Sequence, residues 1–294
     1  MNETQKSRFS LVASMLIFGT IGIFRRYLLL SSGMIAFVRG LVGTLFLLGV
    51  MALKKQRISW GAIRQNGLLL LLSGGLIGFN WILLFEAYNH TTIAIATLCY
   101  YMSPVFVVLA SPLFLKERIT AKKGLCVLVS VIGMLPVTGV LSDTMDGSDL
   151  RGVLLGLGAA LLYASVVILN KRIANVPAYD KTVVQLGSAA IVMIPYLLLT
   201  EGFTGMTLQP LPILLLLVMG VLHTGVAYAL YFESFEKLSA QSVALFSYLD
   251  PIAAVVLSAT VLHEPMGPWE IVGAVLVLAA AILGDVSFPK KRRT

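Results

Sequence analysis

Ten apolar runs alternate with short polar turns along this 294-residue chain, near 9–30, 33–53, 67–88, 92–115, 122–141, 151–170, 182–200, 211–232, 239–262 and 268–286. A helix needs about 20 mostly apolar residues to cross the hydrocarbon of a bilayer, so each run is predicted to be a transmembrane helix. The opening "MNETQKSRF" is too polar and too weakly bounded for a signal peptide, and no small-residue cleavage site follows Leu11–Ile23. The first run is therefore expected to persist as a mature span.

Composition agrees with the pattern. The chain is 58% hydrophobic and only 12% charged, where a soluble domain carries about 25% charged residues. Cys99 and Cys126 lie in apolar runs without metal-ligand spacing, so neither a disulfide framework nor a metal site is expected. No P-loop, zincin helix or nucleophile elbow occurs, and no cofactor is expected.

Charge then gives an orientation. With ten spans and both termini on one side, that side collects Lys6, Arg8, Lys54, Lys55, Arg57, Arg64, Lys116, Arg118, Lys122, Lys123, Lys171, Arg172, Lys181, Lys237 and the tail from Lys290 to Arg293. The other side holds the acidic "LSDTMDGSDL" and few basic residues: Arg151, with Arg25, Arg26 and Arg39 near helix ends. Cytoplasmic loops gather Lys and Arg, so both termini are predicted to be cytoplasmic, in the inner (plasma) membrane. The net charge of +8 is then a topology signal and a contact for lipid headgroups, and no nucleic-acid partner is implied.

Sliding the chain by 147 residues lays "GFNWILLFEAYNHTTIAIATLCYYMSPVFVVLASPLFLKE" over "GVAYALYFESFEKLSAQSVALFSYLDPIAAVVLSATVLHE". Gly78 meets Gly225, Phe85 meets Phe232, Glu86 meets Glu233, Leu98 meets Leu245, Tyr101 meets Tyr248, Pro104 meets Pro251, Ser111 meets Ser258 and Glu117 meets Glu264. At a shift of 145, "FRRYL" lies over "LNKRI" and Phe18 over Tyr163. Each half holds an odd number of spans, so the second copy enters the membrane from the opposite side. The expected fold is all-α and integral to the membrane: ten transmembrane helices as two inverted five-helix repeats, 8–141 and 150–286, with a basic tail at 287–294. Such repeats place a binding site near the midplane between the halves.

The "LCYYMSP" and "LFSYLDP" segments, the "LFLKERIT" and "TVLHEPMG" ends of their spans and the 5+5 layout resemble the drug/metabolite transporter superfamily, specifically EamA-type permeases. The resemblance covers about residues 8–285. It implies a ten-helix inverted-repeat secondary transporter, often an exporter of amino acids or related metabolites, and leaves the cargo open.

Several polar and aromatic residues interrupt the apolar runs. Asp250 falls near mid-depth, where a carboxylate is costly and usually has a partner or a proton. Three readings stay open for it: a proton-coupling site, a counter-charge for a cationic substrate group, and a structural carboxylate paired with Arg or Lys. Pro251 and Pro104 are predicted to kink their helices. Trp81 aligns with Tyr228, Tyr101 with Tyr248 and Tyr88 with Phe235. On a helical wheel Trp81, Leu84, Phe85 and Tyr88 share one face, and Thr224, Tyr228 and Tyr231 share the corresponding one, which suits an aromatic cavity; ordinary helix packing is the alternative. Asn80, beside Trp81, joins the candidate wall. Tyr248 and Asp250 stand about 200° apart on an ideal helix and cannot both face one cavity unless the helix is reoriented.

His223 near mid-depth reads as a titrating or substrate-contacting group, or as a hydrogen-bonded packing histidine. Arg39 reads as snorkelling to the surface, meeting a substrate carboxylate, or pairing with an interior acid. Glu86 and Glu233 read as boundary carboxylates reaching water. Arg25 and Arg26, with Asn170 and Lys171 as their counterpart, read as headgroup anchors or as charged gates. Small residues in "LSGGLIGF", "LRGVLLGLGAA" and "IVGAVLVLAAAILG" permit close helix contact, and the fifth and tenth runs read as scaffold or dimer helices.

The expected function is secondary active transport of a small metabolite, amino-acid or amine-type with export favoured, by alternating access and with proton coupling. Substrate-binding candidates are Trp81, Tyr101, Tyr228, Tyr248, Asn80, Tyr88, Thr224 and Tyr231. Candidates for proton coupling or charge pairing are Asp250, His223 and Arg39. Nutrient uptake of an amine, nucleoside or sugar is the alternative on the same architecture. An integral-membrane enzyme would need catalytic partners that Asp250 and His223 lack in the sequence, and a scaffold would need an appended soluble domain. Partners are a small-molecule substrate, protons and lipids, with the chain a monomer or homodimer.

Overall fold

The computed structural model describes residues 3–28, 30–116, 118–138, 147–200, 209–238, 243 and 246–285. Glu117, Leu245, Asp143, Asp146, the side chains of Phe235 and Lys237, and the tail 287–294 lie outside what is described.

The first run forms two helices, α1 (Glu3–Gly19) and α2 (Ile21–Tyr27), joined at Thr20. Then come α3 (Ser32–Leu53), capped where the Ser31 hydroxyl accepts from Met34 N at 3.3 Å, the short α4 (Trp60–Gln65) and α5 (Gly67–His90). The fourth run is again two helices, α6 (Ile93–Tyr100) and α7 (Ser103–Phe114). After α8 (Ala121–Val137), α9 (Gly147–Arg172) and α10 (Ala178–Leu199), the eighth run holds α11 (Pro210–Gly220), a π-helical turn (Val221–Val226) and α12 (Ala227–Lys237). The chain ends in α13 (Leu249–Thr260) and α14 (Pro268–Asp285).

Among the described residues seven segments are long and apolar enough to cross a membrane: Glu3–Tyr27, Ser32–Leu53, Gly67–His90, Ile93–Phe114, Ser148–Arg172, Ala178–Leu199 and Pro210–Ser234. α13 and α14 are shorter apolar helices, and α8 has 17 residues. Among the described residues no strand occurs. Large apolar side chains point outward, Leu68, Leu113 and Leu198 among them, while Arg25, Arg39, Asn80, Gln185, His223 and Thr224 are buried. That polarity is the reverse of a water-soluble surface and is what a hydrocarbon solvent demands. The protein is all-α and integral to the membrane.

Helix pairing follows a plan. α5 packs along α9 and α1 along α12; α7 rests on α9, and α13 rests on α1; α10 packs on α5, and α11 on α3. Three pairings join corresponding runs of the two halves: α3 with α10, α6 with α13, and α8 with α14. Exchanging the first five runs for the last five leaves these pairings unchanged, whereas the packing of α3 on α5 is not matched to the same extent by α10 and the eighth run among the described residues.

Without a hydrophobic driving force between helices in lipid, close packing of small residues holds such pairs. Gly133 and Gly273 bring α8 against α14: a Cβ at Gly133 would stand 2.9 Å from Leu276 Cβ and 3.1 Å from Gly273 O. Gly19 does the same for α1 and α13, since a Cβ there would lie 2.8 Å from Asp250 O and 2.7 Å from Ala253 Cβ.

The predicted proline kinks take another form. α6 ends at Tyr100, with Tyr101 N donating to Thr97 O at 2.9 Å and Met102 N to Cys99 O at 3.1 Å. A new helix starts at Ser103, so Pro104 occupies its first turn, and Pro251 likewise lies in the first turn of α13. A proline there loses no helical hydrogen bond, because first-turn N–H groups have no intrahelical acceptor. Each chain break therefore precedes its proline, and the breaks fall at matching places in the two halves, at Tyr101–Met102 and at Tyr248.

Candidate functional site

Helices α6 and α13 meet where their runs are broken, and there Tyr101 donates its hydroxyl to Asp250 Oδ2 at 2.7 Å. Both side chains are partly exposed. Tyr248 is 5% exposed and turns into packing, so the two residues that the wheel sets on opposite faces do part company. Asp250 is met by a tyrosine of the other half. Tyr100 stands edge-on to Tyr101 at 5.9 Å and tilted against Tyr163 at 5.5 Å. Tyr228 stacks on Phe232 at 5.9 Å and takes Phe18 edge-on at 5.3 Å, while Tyr231 meets Phe232 at 5.6 Å.

The second polar centre is Arg39 on α3, 3% exposed. Its Cζ stands 4.2 Å from the Trp81 ring centroid and 5.2 Å from that of Phe85. Nε donates to Thr224 Oγ1 at 3.1 Å, and Thr224 donates in turn to Met219 O at 3.2 Å, five residues back, within the π-helical turn. Gly43 and Gly225 let α3 and this turn touch, since a Cβ on either would collide with Thr224 or Phe46. A snorkelling Arg39 is therefore incorrect: its guanidinium is folded onto Trp81 inside the bundle.

Magnitudes separate the effects at Arg39. A desolvated cation–π contact contributes about 0.5–2 kcal/mol, whereas burial of an ion costs several kcal/mol even after relaxation. Among the described residues Arg39 makes no ion pair, and its hydrogen bonding is confined to Nε. Four of the five N–H groups of a guanidinium are thus not taken up by the protein. Tyr88, Tyr100 and Tyr228 each lie within electrostatic reach of both Arg39 and Asp250. The cation and the carboxylate thus lie near one group of tyrosines.

Other candidates fall nearby or elsewhere. Tyr88, 4% exposed, shares a hydrogen bond with Thr97 Oγ1 at 3.2 Å. Asn80 is turned away from the tyrosines and donates to Ala159 O on α9 at 2.6 Å. His223, fully buried in the π-helical turn, lies 2.9 Å from Thr20 Oγ1 through Nε2 and edge-on to Phe24 at 4.7 Å. π-Helical turns recur at functional sites because they re-aim the side chains they carry. Tyr163 also borders a cleft of about 320 Å³ lined by Ser103, Pro104, Lys123 and Lys171. A hollow of about 430 Å³ lined by Leu83, Leu150, Leu154, Leu155 and the single charged residue Arg151 opens on the outer wall of the bundle.

Arg25 and Arg26 are tied to the protein, in contrast to the headgroup-anchor reading. Arg25 donates to Leu28 O at 2.7 Å and to Ser32 Oγ at 3.3 Å, and Ser32 donates to Glu86 Oε2 at 3.0 Å. Arg26 donates to Tyr88 O at 3.0 Å and pairs with Glu264. Glu264 also accepts from Ile93 N at 2.8 Å and from Ser258 Oγ at 2.5 Å. At the opposite end Lys54 pairs with Glu233, which holds the Lys54 ammonium above its usual pKa, and Ser59 N donates to Asp180 Oδ2 at 2.8 Å. Tyr100, Tyr163, Thr20 and Ser32 escape sequence reasoning. Only the pairing of Phe18 with Tyr163 in the repeat pointed toward any of them.

A polytopic helical bundle with polar and charged groups gathered between its halves, tied at both ends, has the build of a membrane carrier. The chain belongs to the EamA-like transporter family, whose model matches it twice, over residues 6–139 and 150–284. It is 29% identical over 295 residues to the "Uncharacterized transporter YxxF" of Bacillus subtilis (strain 168), covering 96% of this chain and 91% of that one. It is 25% identical to "Protein RarD" of Escherichia coli (strain K12), over 78% of this chain and 76% of RarD. A crystal structure at 15% identity superposes with a TM-score of 0.67, covering 95% of this chain and 96% of that one, which shows the fold.

Proposed function

We propose that this transporter is a secondary carrier for a small amino-acid- or amine-type metabolite, with ten crossings in two inverted halves that rock about a central site and exchange protons through Asp250. The observation that carries the reading is the Tyr101–Asp250 hydrogen bond, made across the two halves where matching helices are broken. A carboxylate at such a place gains or loses its charge as access alternates, which couples flux to protons. The odd number of runs in each half, with helix pairings that recur between the halves, supports the inverted arrangement. The basic loops support cytoplasmic termini in a plasma membrane, which puts the Arg26–Glu264 tie on the outer side. Such a carrier is reversible, and the imposed gradients set its direction.

Purified protein in liposomes tests this. Uptake of amino acids and amines should saturate, show counterflow and rise with an imposed pH gradient. Asp250→Asn should abolish the response to that gradient while leaving the protein folded. A variant with the wild-type pH response removes Asp250 from coupling. Flux without saturation points instead to a channel.

A further inference from the structure

We infer that Arg39 is the anchor for a carboxylate on the transported molecule, so that cargo must carry an acidic group. The inference rests on the carrier reading above and deepens it. Arg39 is buried, its Cζ stands 4.2 Å from the Trp81 ring centroid, and among the described residues its one hydrogen bond runs from Nε to Thr224. The Nε bond fixes the plane of the guanidinium and leaves the Nη edge, which has the paired donors that match a carboxylate. The Trp81 face below and the Thr224 hydroxyl at the side prevent the head group from swinging to meet a protein acid, and among the described residues no acid comes within ion-pair distance.

Near the same tyrosines stands Asp250, with its Oδ2 accepting from Tyr101. Tyr88, Tyr100 and Tyr228 lie near both groups. A ligand lying between them would set its anionic end on Arg39 and any ammonium toward Asp250, with an apolar or aromatic body against the rings. The π-helical turn is what brings Thr224 into reach, and Gly43 and Gly225 give it the room to approach α3. The anchor is thus built by α3, α5 and the eighth run together. An amine lacking the acidic group would meet the buried guanidinium with nothing to offer it, and two like charges repel.

The test uses the purified full chain and three matched sets of probes: amino acids, the amines left when their carboxylates are removed, and the acids left when their amino groups are removed. Thermal shift and liposome flux are read for each. Probes with a carboxylate should bind at least tenfold more tightly than their amine counterparts. Arg39→Gln should weaken the carboxylate probes by about tenfold to a hundredfold while leaving the amines unchanged or tighter, closing the gap between the sets; Arg39→Lys should recover part of it. If amines match their parent amino acids on the wild type, or if Arg39→Gln keeps the wild-type preference, the anchor is wrong while the carrier reading stands. If the wild type binds and moves none of the three sets, the carrier reading itself fails. Should Arg39→Gln not fold, Thr224→Val and Trp81→Phe serve in its place. They should weaken the carboxylate probes selectively, and equal weakening of all three sets overturns the proposal.

Discussion

Replacing Glu264 with alanine should loosen one end of the bundle more than replacing Arg26, although the two form an ion pair. The Glu264 side chain is 10% exposed and that of Arg26 is 39%. A pair with so exposed a partner contributes about 0–1 kcal/mol. Glu264 Oε2 also serves Ile93 N, at the open N-terminus of α6, and the Ser258 hydroxyl. Leaving two such donors without an acceptor costs about 1 kcal/mol or more each. Glu264→Ala should therefore cost about 2–3 kcal/mol, and Glu264→Gln, which keeps an acceptor, about 1 kcal/mol, with Arg26→Ala no larger. At 1.4 kcal/mol per decade, 2 kcal/mol changes the ratio of closed to open by about 30-fold. The readout is a single cysteine at Ala94, a fully buried position beside Ile93, in a background with Cys99 and Cys126 replaced, labelled by a membrane-impermeant maleimide. Labelling should accelerate in the order Glu264→Ala, Glu264→Gln, Arg26→Ala. If Arg26→Ala matches or exceeds Glu264→Ala, the ion pair and not the helix-end acceptor holds this end, and the reasoning is refuted.

Two further outcomes follow from the packing and the opposite end. Gly19→Val puts a branched side chain where even a Cβ would stand 2.8 Å from Asp250 O, so it should cost about 1–3 kcal/mol of overpacking and strongly reduce flux in liposomes; unchanged flux and melting temperature would mean that α1 and α13 yield freely. Lys54→Met removes a pair whose side chains are 39% and 47% exposed, so the melting temperature should fall by less than about 3 °C at neutral pH. Because Glu233 raises the Lys54 pKa, that small contribution is complete below the unfolded value of about 10.4 and disappears only as pH climbs past the folded one. A larger difference at pH 6 than at pH 9 would contradict this assignment.

The membrane class and the all-α fold were legible because hydrocarbon solvent imposes one simple requirement on length and polarity. The Tyr101–Asp250 contact was half legible: both residues were marked, but their bond joins positions 149 apart, and a helical wheel carries no information across that distance. Arg39 shows the limit more sharply. Its place eight residues into α3 fits snorkelling as well as burial, and only Trp81 on α5 and Thr224 on the eighth run decide between them. Nor could a wheel of 100° per residue foresee the π-helical turn at Val221–Val226, which shifts the phase of every side chain after it. The same blindness explains the prolines. Their positions mark a discontinuity, while its exact form depends on Thr97 and Cys99 accepting the last bonds of α6.

The joint at Thr20 gives the first span a pivot. Thr20 bonds back to Ile17 O at 2.7 Å through its hydroxyl and sideways to His223 at 2.9 Å, so the chain is pinned at that depth while the helices on either side are separate rods. The lower rod, α1, is wedged between α12 and α13. The upper rod is the seven-residue α2, whose last turn carries Arg25 and Arg26. Prising Arg26 from Glu264 therefore asks a lever two turns long to swing on a fixed fulcrum, leaving the remainder of that membrane crossing seated where it is.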